Sequence, residues 1–124
     1  MAQRVVLVAN AIISGLFGVG FLFAANAVLG LYGGMSMEPA TDQLFGGALI
    51  GIALVNVLAR DVEAGDARRA IFTGNFFYNL VALYVFVTGL MVLNGPAIWS
   101  GAVVAGVFTL AFGYLAIRAW RAPA

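Results

Sequence analysis

The sequence contains no cysteine, no histidine and no lysine. Without cysteine there are no disulfides and no thiolate metal sites, and the redox compartment leaves no mark. Without histidine the chain lacks the commonest metal and haem ligand and the commonest general base. Charge is scarce as well. Charged residues make up 9% of the chain, against about 25% in an ordinary soluble domain. The net charge of +1 suggests neither nucleic acid nor a polybasic lipid anchor as a partner. All six basic residues are arginine, a bias expected of a GC-rich bacterial genome.

What the chain has is apolar surface. Hydrophobic residues account for 64% of 124 positions, well above the roughly 45–50% of a soluble domain. A chain this short has too little interior to hide that surface from water, and lipid removes the need. The apolar residues fall into four runs. The first follows Arg4 and extends from Val5 to about Leu31, over the roughly 20 residues a spanning helix needs. A cleaved signal peptide is the rival reading, with Arg4 as its basic end and Ala25-Asn26-Ala27 as its small-residue site. The apolar run exceeds the usual ~7–15 residues of such a segment. Gly33-Gly34 closes the first run. Pro39 suits the first turn of the next, where its missing N–H costs nothing, and Glu38 and Asp42 suit that helix's positive end.

The expected architecture is all-α, a single domain over residues 1–124. Its spans cover about 5–31, 43–59, 70–93 and 97–117. The charged segment Arg60–Arg69 belongs in water, and Asn94-Gly95-Pro96 makes a tight turn between the last two spans. Arg4, Arg60, Arg68, Arg69, Arg118 and Arg121 then fall on one side, and the other side has no basic residue. That asymmetry places both termini in the cytoplasm, and the localisation expected is a bacterial inner membrane. Tyr32 and Trp99 suit the outer interfacial belt, and Trp120 and Tyr114 the inner one.

The four spans contain no ionisable Asp, Glu, Lys, Arg or His. Proton-coupled carriers and pumps usually place such a group inside the membrane. No metal-binding spacing, nucleophile–base set or phosphate-cradling loop is present either. The reading is therefore non-enzymatic, with no cofactor and no metal. Asp61, Glu63 and Asp66 are the only acids on the arginine side.

Asparagine carries most of the polarity inside the spans. At ~1.5 Å per residue, Asn10, Asn56 and Asn75 lie roughly 6–9 Å from the nearest arginine. Ser14, Asn79 and Thr109 form a second layer at roughly 13–15 Å. Asn75 and Asn79 share a helix face, as do Asn10 and Ser14. These six residues are expected to converge in the bundle interior, open towards the cytoplasm. They serve either as interhelical hydrogen bonds, worth about 0.6 kcal/mol each, or as a polar cavity for a lipid headgroup, a quinone or a neutral solute.

Small residues form a second pattern. Gly101, Ala105, Thr109 and Gly113 recur every four positions, and Gly47 and Gly51 form a GxxxG. Such ridges allow close helix approach, within one protomer or against a partner. On the second helix Asn56 points about 180° away from Gly47 at 100° per residue, so the two meet different neighbours. The aromatic residues Phe76, Phe77, Tyr78, Tyr84 and Phe86 read as lipid-facing filler, with an apolar ligand site as the alternative.

The runs LFGGALIG at Leu44–Gly51 and ALVNVLARD at Ala53–Asp61, the arginine-rich loop, the Asn94-Gly95-Pro96 turn and the small-residue fourth helix together resemble small bacterial four-helix membrane proteins of the DoxX-like type. Some of that group carry an acidic residue within a span, and this chain carries none. The resemblance implies a fold more than an activity. The functional expectation is a structural or accessory subunit of a membrane assembly, with membrane lipids and a homo-oligomer or larger complex as partners. The alternative is binding or transport of a small neutral or lipidic ligand in an asparagine-lined cavity.

Overall fold

The computed structural model describes residues 2–89 and 95–123. The described residues form four α-helices: α1 (Ala2–Leu31), α2 (Pro39–Leu58), α3 (Asp66–Gly89) and α4 (Ile98–Arg121). All four are long and apolar enough to cross a membrane. Each begins or ends within a few residues of its sequence-based bounds. The expected end of the third span at Leu93, and Asn94 of the turn, lie outside the described residues. Pro39 and Asp42 occupy the first turn of α2 and Arg118 and Arg121 the last turn of α4; the charge of Asp42 and of the two arginines matches the helix dipole at each end.

The first helix is not the single straight span that its composition suggests. Ala24 leaves helical geometry (φ −146°, ψ 47°). The Phe17 and Tyr32 ring centroids stand 6.1 Å apart, whereas fifteen residues of straight helix would separate them by about 22 Å. A Cβ at Gly20 would come within 2.6 Å of the Val28 side chain, eight positions on and about 12 Å away in an unbroken helix. The chain therefore runs along the bundle as residues 2–23 and then folds back, so that residues 25–32 form a cap over one end of the bundle. The bare Gly20 makes room for the fold. Gly33 (φ 84°) ends the cap, and the Gly34 N–H returns to the Leu29 carbonyl at 2.9 Å, a closure that favours glycine at the turning position. The cap is held at its far end by the Ala97 N–H bonded to the Leu31 carbonyl at 2.8 Å. Buried Gly95 lies against the Tyr32–Gly33 backbone so closely that no side chain would fit.

The helices pair as two hairpins. α1 packs along α2 and α3 along α4; α1 and α4 touch over a shorter stretch, and α2 and α3 do not pack along each other. The first hairpin is closed by backbone contact between Gly18 and Gly46. A Cβ on Gly46 would sit 2.7 Å from the Gly18 carbonyl oxygen. In the second hairpin the Phe86 ring covers Gly101 and the Phe76 ring covers Gly113, and Ala105 is buried. The fourth-helix ridge thus packs within the protomer. Gly47 and Gly51 do not: both are exposed, and among the described residues nothing lies within 4 Å of where a side chain would begin. They stand one residue round from the crossing that Gly46 makes.

The hairpins join at the arginine end. Leu7, Phe72 and Phe112 are fully buried there, with Phe108, Leu115 and Ala116 around them. Polar ties reinforce this end. Arg69 donates to the carbonyls of Ala119 (3.2 Å) and Ala122 (2.9 Å) and lies 5.3 Å over the Trp120 ring. The indole N–H of Trp120 donates to the Thr73 hydroxyl at 3.0 Å. Gln3 donates to the Val62 carbonyl at 3.0 Å, tying the start of α1 to the loop after α2. The Arg4–Asp61 ion pair (3.3 Å) is well exposed and contributes little.

Candidate functional site

Directly above the apolar seal lies a bridge of three buried amides. Asn56 of α2 and Asn75 of α3 form a reciprocal pair: each Nδ2 donates to the other's Oδ1, at 2.8 and 2.9 Å. The second hydrogen of Asn56 Nδ2 goes to Asn10 Oδ1 of α1 at 2.8 Å. Asn75 Nδ2 also donates to the Ile71 carbonyl at 2.9 Å. That carbonyl can only accept, so it fixes which end of the Asn75 amide faces it. The reciprocal pair then fixes Asn56, and Asn56 fixes Asn10. One backbone carbonyl orients three side chains on three helices. The pair also joins α2 to α3, which otherwise do not pack.

The same logic orients Asn79. Its Nδ2 donates to the Asn75 carbonyl at 2.8 Å, so its Oδ1 points elsewhere. Ser14 donates to Asn10 Oδ1 at 3.4 Å, a long contact. Thr109 is buried but turns to the Ala105 carbonyl of its own helix at 2.7 Å.

Above the amides the hairpins separate around a cavity of ≈ 530 Å³, inside the range of about 300–1,000 Å³ typical of ligand sites. Its floor is Asn10, Ser14 and Asn79. Its walls are apolar and come from all four helices, among them Phe17, Leu49, Ala82, Val104 and Phe108. Tyr32 and Leu29 of the cap and Ile98 of α4 close the far end. Tyr32 is buried with its ring 5.4 Å from that of Phe86, and burial pushes its phenol above the ordinary value. The gap between α2 and α3 leaves the cavity open on that side. Phe45, Val81 and Val85 line it and stay 45%, 59% and 55% exposed.

The structure therefore sorts the sequence-predicted residues. Asn10, Ser14 and Asn79 reach the cavity; Asn56 and Asn75 are consumed in the bridge below it; Thr109 belongs to neither. Gly101 and Ala105, read as packing positions, also form cavity wall. Three expectations are corrected. The asparagine layers do not open towards the arginine end, because Leu7, Phe72 and Phe112 seal it and the cavity lies on the other side. Tyr32 is not a belt residue facing lipid but part of the cavity's lid. The third-helix aromatics are not all lipid filler: Phe77 and Tyr84 are exposed, whereas Tyr78 and Phe86 line the cavity and Phe76 packs on the core. Phe17 and Phe21 share a face of α1, but only the fold-back at Ala24 brings Tyr32 to them, and nothing in the sequence marks that fold-back.

A smaller recess of ≈ 250 Å³ lies beside the break in α1, bordered by residues 21–27, Ser36, Pro39 and Gln43. There Asn26 Oδ1 accepts the Ser36 N–H at 2.8 Å and the Ser36 hydroxyl donates to Asp42.

Among the described residues, no Asp, Glu, Lys or Arg lines the main cavity. What the arrangement offers a guest is van der Waals contact along its walls and neutral hydrogen bonding at its floor. No protein-family model matches the chain, and no curated protein or solved structure is significantly similar to it.

Proposed function

We propose that this is an integral membrane protein, with both termini on the cytoplasmic side of a bacterial inner membrane, that binds an uncharged and largely apolar molecule inside its bundle. The observation that carries the reading is the cavity itself: walls from all four helices, an amide floor and a side opening between α2 and α3. An opening on that flank suits a guest that arrives from the lipid. The arginine asymmetry supports the orientation. Native mass spectrometry of protein gently extracted from its own membrane tests the binding. A defined extra mass of lipid-like size, lost on exhaustive detergent exchange, is the expected result; a protein that never carries one refutes it. Orientation is tested with single cysteines, which this cysteine-free chain accepts without background. Met37→Cys should react with an impermeant maleimide in intact cells, and Ala67→Cys only after permeabilisation. The reverse pattern would overturn the assignment.

A second reading, an accessory subunit in a homo-oligomer or larger assembly, has its own support. Gly47 and Gly51 present a bare ridge on the outside of α2, of the kind that lets helices associate closely. Gly47→Ile with Gly51→Ile should dissolve such an assembly without unfolding the protomer. An unchanged mass distribution would remove this reading.

A further inference from the structure

The amide bridge leaves two atoms over, and both are at the cavity floor. Asn10 is 2% exposed and Asn79 4%. Asn10 Oδ1 takes the Asn56 and Ser14 donors, and its Nδ2 makes no hydrogen bond among the described residues. Asn79 Nδ2 is bonded to the Asn75 carbonyl, and its Oδ1 likewise has no partner among the described residues. Neither amide can be reversed without cost. Turning Asn79 would set its Oδ1 against a carbonyl oxygen. Turning Asn10 would set its Nδ2 against the hydrogen that Asn56 now gives it. The floor of the cavity thus presents one fixed donor and one fixed acceptor, each on a buried residue, open to the cavity and without a partner among the described residues, beneath largely apolar walls. A guest that covers these atoms without pairing them leaves buried polar groups unsatisfied, which is costly, so a guest that satisfies both gains what a purely apolar guest forfeits.

We infer that the cavity selects a long-chain neutral amphiphile whose head is a hydroxyl group, its oxygen accepting from Asn10 Nδ2 and its proton donated to Asn79 Oδ1. This rests on the cavity-binding reading above and adds the head-group chemistry to it. A hydroxyl is the smallest group that both donates and accepts at one atom. An ether or ketone accepts only and leaves Asn79 unpaired. A carboxylate adds a second acceptor and a charge that nothing on the walls neutralises. The apolar chain would run up the walls towards Phe17 and Phe86. Asn10 is held by the bridge, whereas Asn79 bonds only within α3, so Asn79 is the residue to change.

The test uses purified protein and three probes of equal chain length: dodecanol, dodecyl methyl ether and dodecane. Binding is read by native mass spectrometry, with thermal unfolding as a check on folding. The wild-type protein should hold one dodecanol and prefer it to the ether and the alkane by about tenfold, the scale of one buried acceptor left unpaired. Asn79→Leu should lose most of the preference for the alcohol over the ether and bind the alkane more tightly than the wild type does, since no acceptor is then left unpaired. Equal binding of all three probes to the wild type would overturn the head-group assignment while leaving the cavity reading intact. Binding of none would overturn the cavity reading and this inference with it. A preference for alcohol that survives in Asn79→Leu would show that Asn79 does not receive the hydroxyl proton. The wild-type comparison needs no variant to fold.

Discussion

The reciprocal pair between Asn56 and Asn75 can be weighed by a double-mutant cycle. Leucine at position 56 removes three interhelical hydrogen bonds, two with Asn75 and one with Asn10. Such bonds between membrane helices average about 0.6 kcal/mol, so Asn56→Leu should cost about 2 kcal/mol. Asn75→Leu breaks the same two bonds with Asn56 and also a bond within its own helix, to Ile71. Its expected cost is about 1–2 kcal/mol by the same measure. If the two amides face each other, the double mutant loses their shared bonds only once. It should then be more stable than the sum of the single changes predicts by about 1 kcal/mol. The assay is reversible unfolding in mixed micelles by titration with dodecyl sulfate, followed by the loss of helical circular dichroism or by the fluorescence of Trp99 and Trp120. Independent sites add to within about 0.3–0.5 kcal/mol. Strict additivity would therefore refute the pair, and with it the orientation of Asn10 deduced from it.

Other perturbations test the rest of the frame. Gly46→Ala should destabilise the first hairpin by about 1–3 kcal/mol, since its new methyl meets backbone rather than a side chain that could move; Gly47→Ala, one residue away and unobstructed, should be neutral in thermal unfolding. Gly95→Ala should push the cap off the bundle end, seen as faster hydrogen exchange over residues 25–33 with little change in α3 and α4. Arg69→Gln should lose about 1–2 kcal/mol through its carbonyl contacts and its stacking on Trp120, and shift the emission of that tryptophan.

Much of the scaffold was legible in the sequence because the signals are local. Four long apolar runs, with glycine and proline between them, mark four helices whatever their mutual arrangement. Counting residues inward from the arginines placed Asn10, Asn56 and Asn75 at one depth, and they do meet there. What could not be read is how each helix is rotated about its axis. These helices are apolar nearly all round, so no polar stripe marks the outer face. Gly46 and Gly47 are equivalent by composition, and only the packed hairpin shows that the first meets Gly18 and the second meets nothing. The break at Ala24 is silent for a different reason: neither proline nor glycine occupies it. Gly20 permits the fold-back one turn earlier. With the break unseen, Tyr32 could only be assigned to an interfacial belt, and the cavity's far end had no visible lining. The depth argument located the polar layer but not which side of it would open. That depended on Leu7, Phe72 and Phe112, three apolar residues indistinguishable in sequence from their neighbours.

The division into two hairpins has a consequence for biogenesis. A chain made from its N-terminus completes α1 and α2 well before α4 exists. The contacts that would close the first hairpin in that interval, Gly18 on Gly46 and Asn56 donating to Asn10, lie wholly within α1 and α2. One acceptor on Asn56 and one hydrogen remain unspent, and both face the flank where α3 is due. The nascent pair thus holds out a template, and Asn75 is the amide shaped to answer it. Assembly would proceed as the docking of two preformed halves, with the register of the second read from a single side chain of the first.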